Sequence, residues 1–149
     1  MPASYLINPD LGFVYTVAWR RLTMPEAEAH HTALADDSRF DPQLMHLMDF
    51  SRVEEFELSP DDAIRLSARG MWAVDARRAV AAPKDLAFGM SQLFQARARV
   101  SEDHYGVFRT VEAAWQWLGF DMAPALPPLT FADDVDVGFV RWPAGVDGD

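Results

Sequence analysis

The chain opens with two apolar stretches separated by a polar turn. Ser4 to Ile7 reads as a short strand, and Asn8, Pro9, Asp10 and Gly12 form a turn signal. Phe13 to Trp19 is rich in β-branched and aromatic residues and predicts a second strand, paired with the first as an antiparallel hairpin. Thr23 and Glu26 stand at capping-box spacing with Pro25 in the first turn. They predict a helix from about Met24 to Ala35, with a thin, Ala-rich apolar stripe and Asp36, Asp37 and Ser38 at its end. Leu44 to Phe50 is a compact apolar run, too short for a typical helix, and predicts a buried strand. Ser59-Pro60-Asp61-Asp62 marks the next helix: Ser59 as N-cap, Pro60 at the first helical position and two aspartates at the positive end of the dipole. That helix runs to about Arg69, with Gly70 near its end. Arg78 to Ala82 is a short strand stopped by Pro83. Leu86, Met90, Leu93, Phe94 and Arg97 fall at helical spacing. Tyr105 to Arg109 is a last strand, and Thr110 caps a last helix through Leu118, stopped by Gly119.

The order is β-β-α-β-α-β-α-β-α. After the hairpin, strands and helices alternate, which predicts right-handed crossovers and a largely parallel sheet with one antiparallel edge. The fold class is therefore α/β, with about five strands and about four helices. There is no internal repeat.

Composition narrows the functional classes. The chain has 149 residues, no cysteine and a net charge of −10. This length suits one domain able to bury about 70% of its unfolded surface without staples. Disulfides, cysteine zinc sites and thiol catalysis are excluded. The acidic balance disfavours simple electrostatic binding to nucleic acid or an anionic membrane. The start of the chain lacks the basic, apolar build of a targeting segment. The longest strongly apolar run, around Phe13 to Trp19, cannot span a bilayer. A cytoplasmic protein is the expectation. Residues 121–149 carry 6 acidic and 1 basic side chain and hold Pro124, Pro127, Pro128 and Pro143. A folded domain over 1–119 and an acidic, proline-containing extension over 120–149 are therefore expected.

Three segments resemble the SpoIIAA-like branch of the STAS domains, the sulfate-transporter and anti-sigma-factor-antagonist domains. They are Leu47-Met48-Asp49-Phe50-Ser51-Arg52-Val53, Ala79 to Met90 with its Phe88-Gly89 ending, and Val107 to Leu118 with its Phe-Arg, Glu-Ala and Trp-Leu pattern. The resemblance covers about residues 4–119 and implies a regulatory fold. In anti-sigma antagonists, a serine at the start of the helix after the third strand is phosphorylated by a partner kinase, and that event controls docking. The corresponding stretch here is Glu57-Leu58-Ser59-Pro60. Only Ser59 matches the family's Asp-Ser-Ser-Gly. Some proteins of this branch are discussed beside lipid-binding Sec14-type domains.

The candidate chemistry has a structural counterpart at each position. Ser59 is a candidate phosphorylation switch, but Asp61 and Asp62 would repel a phosphate, and a helix cap is the favoured reading. Asp49 and Ser51 follow a buried strand, where open α/β sheets often bind ligands. A turn that satisfies its own backbone is the favoured alternative. Of the four histidines, Glu26 and His30 share a helix face, while His30 and His31 point about 100° apart, so one metal cannot easily take both. Solvent-facing histidines are expected there. His46 lies in an apolar strand, either as a base near Asp49 or, more commonly for such a position, as a partly buried, hydrogen-bonded ring. No Gly-x-Ser-x-Gly, phosphate loop or dinucleotide fingerprint occurs. Trp115 and Trp117 face different ways on one helix, one toward the core and the other toward a surface. In the extension, Phe139 and Trp142 are candidates for a self-association arm.

The leading expectation is a non-enzymatic regulatory or protein-interaction module without cofactor or metal. It would use Asp49, Ser51 and Ser59 toward a protein partner, with a homodimer as a further option. The second expectation is a carrier or sensor of an apolar small molecule or lipid, from the abundance of Met, Phe and Trp near helix ends. An enzyme ranks third, needing His46 or His104 to meet Asp49 or a serine in a cleft.

Overall fold

The computed structural model describes residues 3–124. Its elements are β1 (Ala3–Asn8), β2 (Phe13–Thr23), α1 (Met24–Asp36), β3 (Met45–Glu57), α2 (Pro60–Ser67), β4 (Arg78–Ala81), α3 (Asp85–Ala98), β5 (Tyr105–Phe108) and α4 (Val111–Trp117). This is the order expected from the sequence. One five-stranded sheet runs β1-β2-β3-β4-β5. β1 and β2 pair antiparallel, and the remaining neighbours pair parallel.

The hairpin turn follows from its residues. Gly12 adopts φ +78°, a conformation that glycine takes without the clash of a Cβ. Its amide donates to the Asn8 carbonyl at 2.9 Å, and the Asn8 side chain accepts the Leu11 amide at 3.0 Å. β2 is buried from Phe13 through Trp19 because helices cover both faces of the sheet. Its odd-numbered residues Phe13, Tyr15, Val17 and Trp19 pack with Ala114 and Trp115 of α4 and with Leu118 just after it. On the opposite face, Val14 meets Leu34 of α1, and Ala18 and Leu22 join Ala87 of α3. Thus α4 covers one face, and α1 and α3 cover the other. α2 packs on α3. Among the described residues no helix is long and apolar enough to cross a membrane.

β3 runs well past Phe50, where the apolar run stops. Its distal half carries two extra residues relative to β2, with register shifts between Val17 and Trp19 and between Arg20 and Arg21. Outward charges support this half, with Arg21 2.6 Å from Glu57. At the other end of the chain, Phe120 packs edge-on against Phe13 and Trp115. The packed unit therefore reaches residue 120. Phe139 and Trp142 lie outside the described residues.

Candidate functional site

A single row of side chains crosses the parallel sheet on the face under α1 and α3. Val14 of β2 is in register with His46 of β3, His46 with Arg78 of β4, and Arg78 with Tyr105 of β5. Thr16, two residues along β2, points to the same face. From α1, His30 reaches this row because it lies one turn before the buried Leu34. The Thr16 hydroxyl oxygen is 2.8 Å from Nε2 of His30 and 2.8 Å from Nε2 of His46. A hydroxyl has one proton, so the arrangement that uses it has one ring accepting from Thr16 and the other donating to it. His46 is sandwiched: its ring stacks on Trp72 at 4.6 Å and lies parallel to His30 at 6.0 Å.

Burial sets the protonation of this cluster. His30 and His46 are 4% and 3% exposed, and desolvation holds both well below the ordinary imidazole value. His31 is held at about 4, first by burial and then by the guanidinium charges of Arg69 and Arg78. The site is thus built from neutral imidazoles at neutral pH. Arg78 supplies a positive charge. Burial is the main influence on it and lowers its proton affinity. Its guanidinium carbon lies 5.3 Å from the centre of the Tyr105 ring. Its Nε is buried with no hydrogen-bond partner among the described residues, as is Nδ1 of His31.

These groups form one end of a cavity between the sheet and the three helices α1, α2 and α3. The cavity has a volume of about 90 Å³, several times what one water needs. Beyond the polar row the lining turns apolar: Met48 and Phe50 of β3, Phe56, Leu66 of α2, and Met90 and Phe94 of α3. Among the described residues Glu26 is the one carboxylate in the lining, and its Oε2 accepts the Thr23 amide at 3.0 Å as part of the capping box of α1.

The expectation of solvent-facing histidines on α1 is corrected here. His30 is a core residue because the Thr16 hydroxyl, on β2, meets its ring. His46 is the hydrogen-bonded ring of one of its two readings, and it is more deeply buried than that reading had it. It cannot serve as a base near Asp49, because Asp49 projects from the opposite face of β3, toward Tyr15. His104 meets Ser101 at 3.1 Å, but on an exposed turn rather than in a cleft. No group of three histidines or carboxylates among the described residues is placed to hold a metal ion.

The singled-out residues take other places. Asp49 is 4% exposed, and both of its oxygens are engaged. Oδ2 accepts the Tyr15 hydroxyl at 2.5 Å, and Oδ1 accepts the Ser51 amide at 2.9 Å, where the ladder shifts register. Ser51 is exposed. Ser59 is exposed and caps α2: its hydroxyl accepts the Asp62 amide at 3.1 Å, and Asp62 accepts the Ser59 amide at 2.9 Å. The cavity's polar row sits at the opening residues of β4 and β5, away from Asp49 and Ser59. Sequence reasoning missed Thr16 and Arg78. The available signal was a polar residue inside each of two buried strands, but only the register brings those residues together.

Comparison with known proteins finds no matching family model, no matching curated protein and no matching solved structure.

Proposed function

We propose that this chain is a non-enzymatic module that binds an apolar small molecule in the cavity beneath α1, α2 and α3. The cavity itself carries this reading. It is mostly apolar and has a few polar groups converging at one end, the build of a small-molecule site. The buried histidines are neutral hydrogen-bonding groups, stacked and satisfied by Thr16, which suits a fixed wall rather than a proton shuttle.

The regulatory reading joins this one at α2. Ser59, exposed and matched by resemblance to the switch serine of the STAS domains, opens the helix whose Ala63 and Leu66 line the cavity. Occupancy of the cavity and recognition of α2 by a protein partner would then bear on the same helix.

A neutral apolar probe tests the binding. Titration calorimetry with 1-decanol is expected to show saturable binding to the wild-type protein. Ala63→Leu, which adds a side chain into the cavity, is expected to abolish binding while leaving the circular dichroism unchanged. Absence of binding by the wild-type chain would overturn the proposal.

A further inference from the structure

The cavity's polar end has an electrostatic asymmetry that an apolar occupant alone does not explain. Arg78 places a guanidinium at the wall of a mostly apolar space, between His46 and Tyr105 in register. Its Nε–H is buried and lacks an acceptor among the described residues. The side chain as a whole is only partly buried, but a guanidinium N–H held out of water without an acceptor is costly, and an anion in the cavity would complete it. Tyr105 offers the face of its ring but no anionic oxygen, because burial keeps its phenol protonated. The three imidazoles beside Arg78 are neutral and add no negative charge. Glu26, the remaining acid of the lining, is engaged in the cap of α1.

The apolar lining extends in one direction from this end. On β3, Met48 and Phe50 follow His46 on the same face, and Met48 pairs with Val80. From His46 to Phe50 is about 13 Å at the usual strand rise. Leu66 and Phe94 close the space from the helices. A ligand suited to these walls has one anionic head of carboxylate size and one unbranched or aromatic apolar tail. A carboxylate is the natural complement, because the guanidinium fork donates to its two oxygens in parallel.

Resting on the small-molecule reading above, we infer that the ligand is an apolar monocarboxylate of medium chain length, its head held by Arg78 and its tail laid along β3 toward Phe50.

The test compares three probes that share one tail and differ in the head: decanoate, 1-decanol and decyltrimethylammonium. They are titrated by calorimetry into wild-type protein and Arg78→Met, at about pH 8, where the carboxylate is ionised. The wild type is expected to bind decanoate at least about tenfold more tightly than 1-decanol and to reject the cation. Arg78→Met is expected to bring decanoate down to the level of 1-decanol, with 1-decanol itself still bound. Equal binding of decanoate and 1-decanol by the wild type would overturn the inference and leave the apolar cavity reading standing. A carboxylate preference that survives in Arg78→Met would overturn it too. Failure of every probe to bind the wild type would remove both readings together. The wild-type comparison of three heads does not depend on the variant folding. Arg78→Lys, which keeps the charge but not the fork, is expected to retain only part of the preference.

Discussion

Asp49 and Ser59 each commit a side-chain oxygen to a backbone amide, and this decides what their loss would do. Where β3 takes its first extra residue, the Ser51 amide is satisfied by Asp49, whose other oxygen holds the Tyr15 hydroxyl. Asp49→Ala leaves both donors without their acceptor, and a loss of about 1–3 kcal/mol is expected in urea denaturation. Ser59→Ala removes one arm of a capping box at an exposed helix start, so a loss of about 1 kcal/mol is expected. An unchanged denaturation midpoint in either variant would contradict the assigned role. The Ser59 cap was legible because the signal is local: serine, proline and two acids in sequence. The burial of His30 was not. The α1 stripe is thin, and what makes an imidazole acceptable inside is a hydroxyl 14 residues earlier on β2.

At the scale of elements, the hairpin, the parallel strands and the four helices were readable because each carries its own period or cap. Boundaries were less so. β2 and β3 both outrun their apolar stretches. Their distal halves are held by each other and by surface charges such as Arg21 and Glu57, rather than by a continuous buried face. α4 shows how a short helix can still be decisive. Trp115 is 1% exposed and stacks on Tyr15 at 5.9 Å, with Phe13 and Phe120 at its edges. Trp117, two residues on, lies partly open under the Arg77 guanidinium. Trp115→Ala is expected to cost about 3–5 kcal/mol. Trp117→Ala should cost clearly less, and equal losses in chemical denaturation would contradict this division of core and surface.

For the whole molecule, the neutral histidine cluster makes stability depend on pH. His30, His31 and His46 all bind protons less readily in the folded state than in the unfolded chain. Their contribution is complete above about pH 6.5 and is lost on acidification, because the unfolded chain takes up protons that the folded one refuses. His31 continues to contribute to the loss until about 4. If all three act, the slope reaches about 4 kcal/mol per pH unit. Denaturation midpoints measured between about pH 7.5 and about pH 4.5 should fall steeply. A flat profile would mean that the rings charge freely where they stand. None of this was legible in the sequence, since the cluster exists only where α1, β2 and β3 meet. The cavity is likewise a property of the assembled layers. The sequence signalled an abundance of Met, Phe and Trp, but not the space they leave beside Arg78.

The methionine methyl groups give the most direct reading of that space. Met48 and Met90 line the cavity, Met45 packs on the opposite face of the sheet, and Met122 is 80% exposed. In a methyl NMR titration with decanoate, Met48 and Met90 are expected to shift and saturate together, while Met45 and Met122 hold their positions. Shifts confined to Met122, or none at all, would contradict a ligand in the cavity.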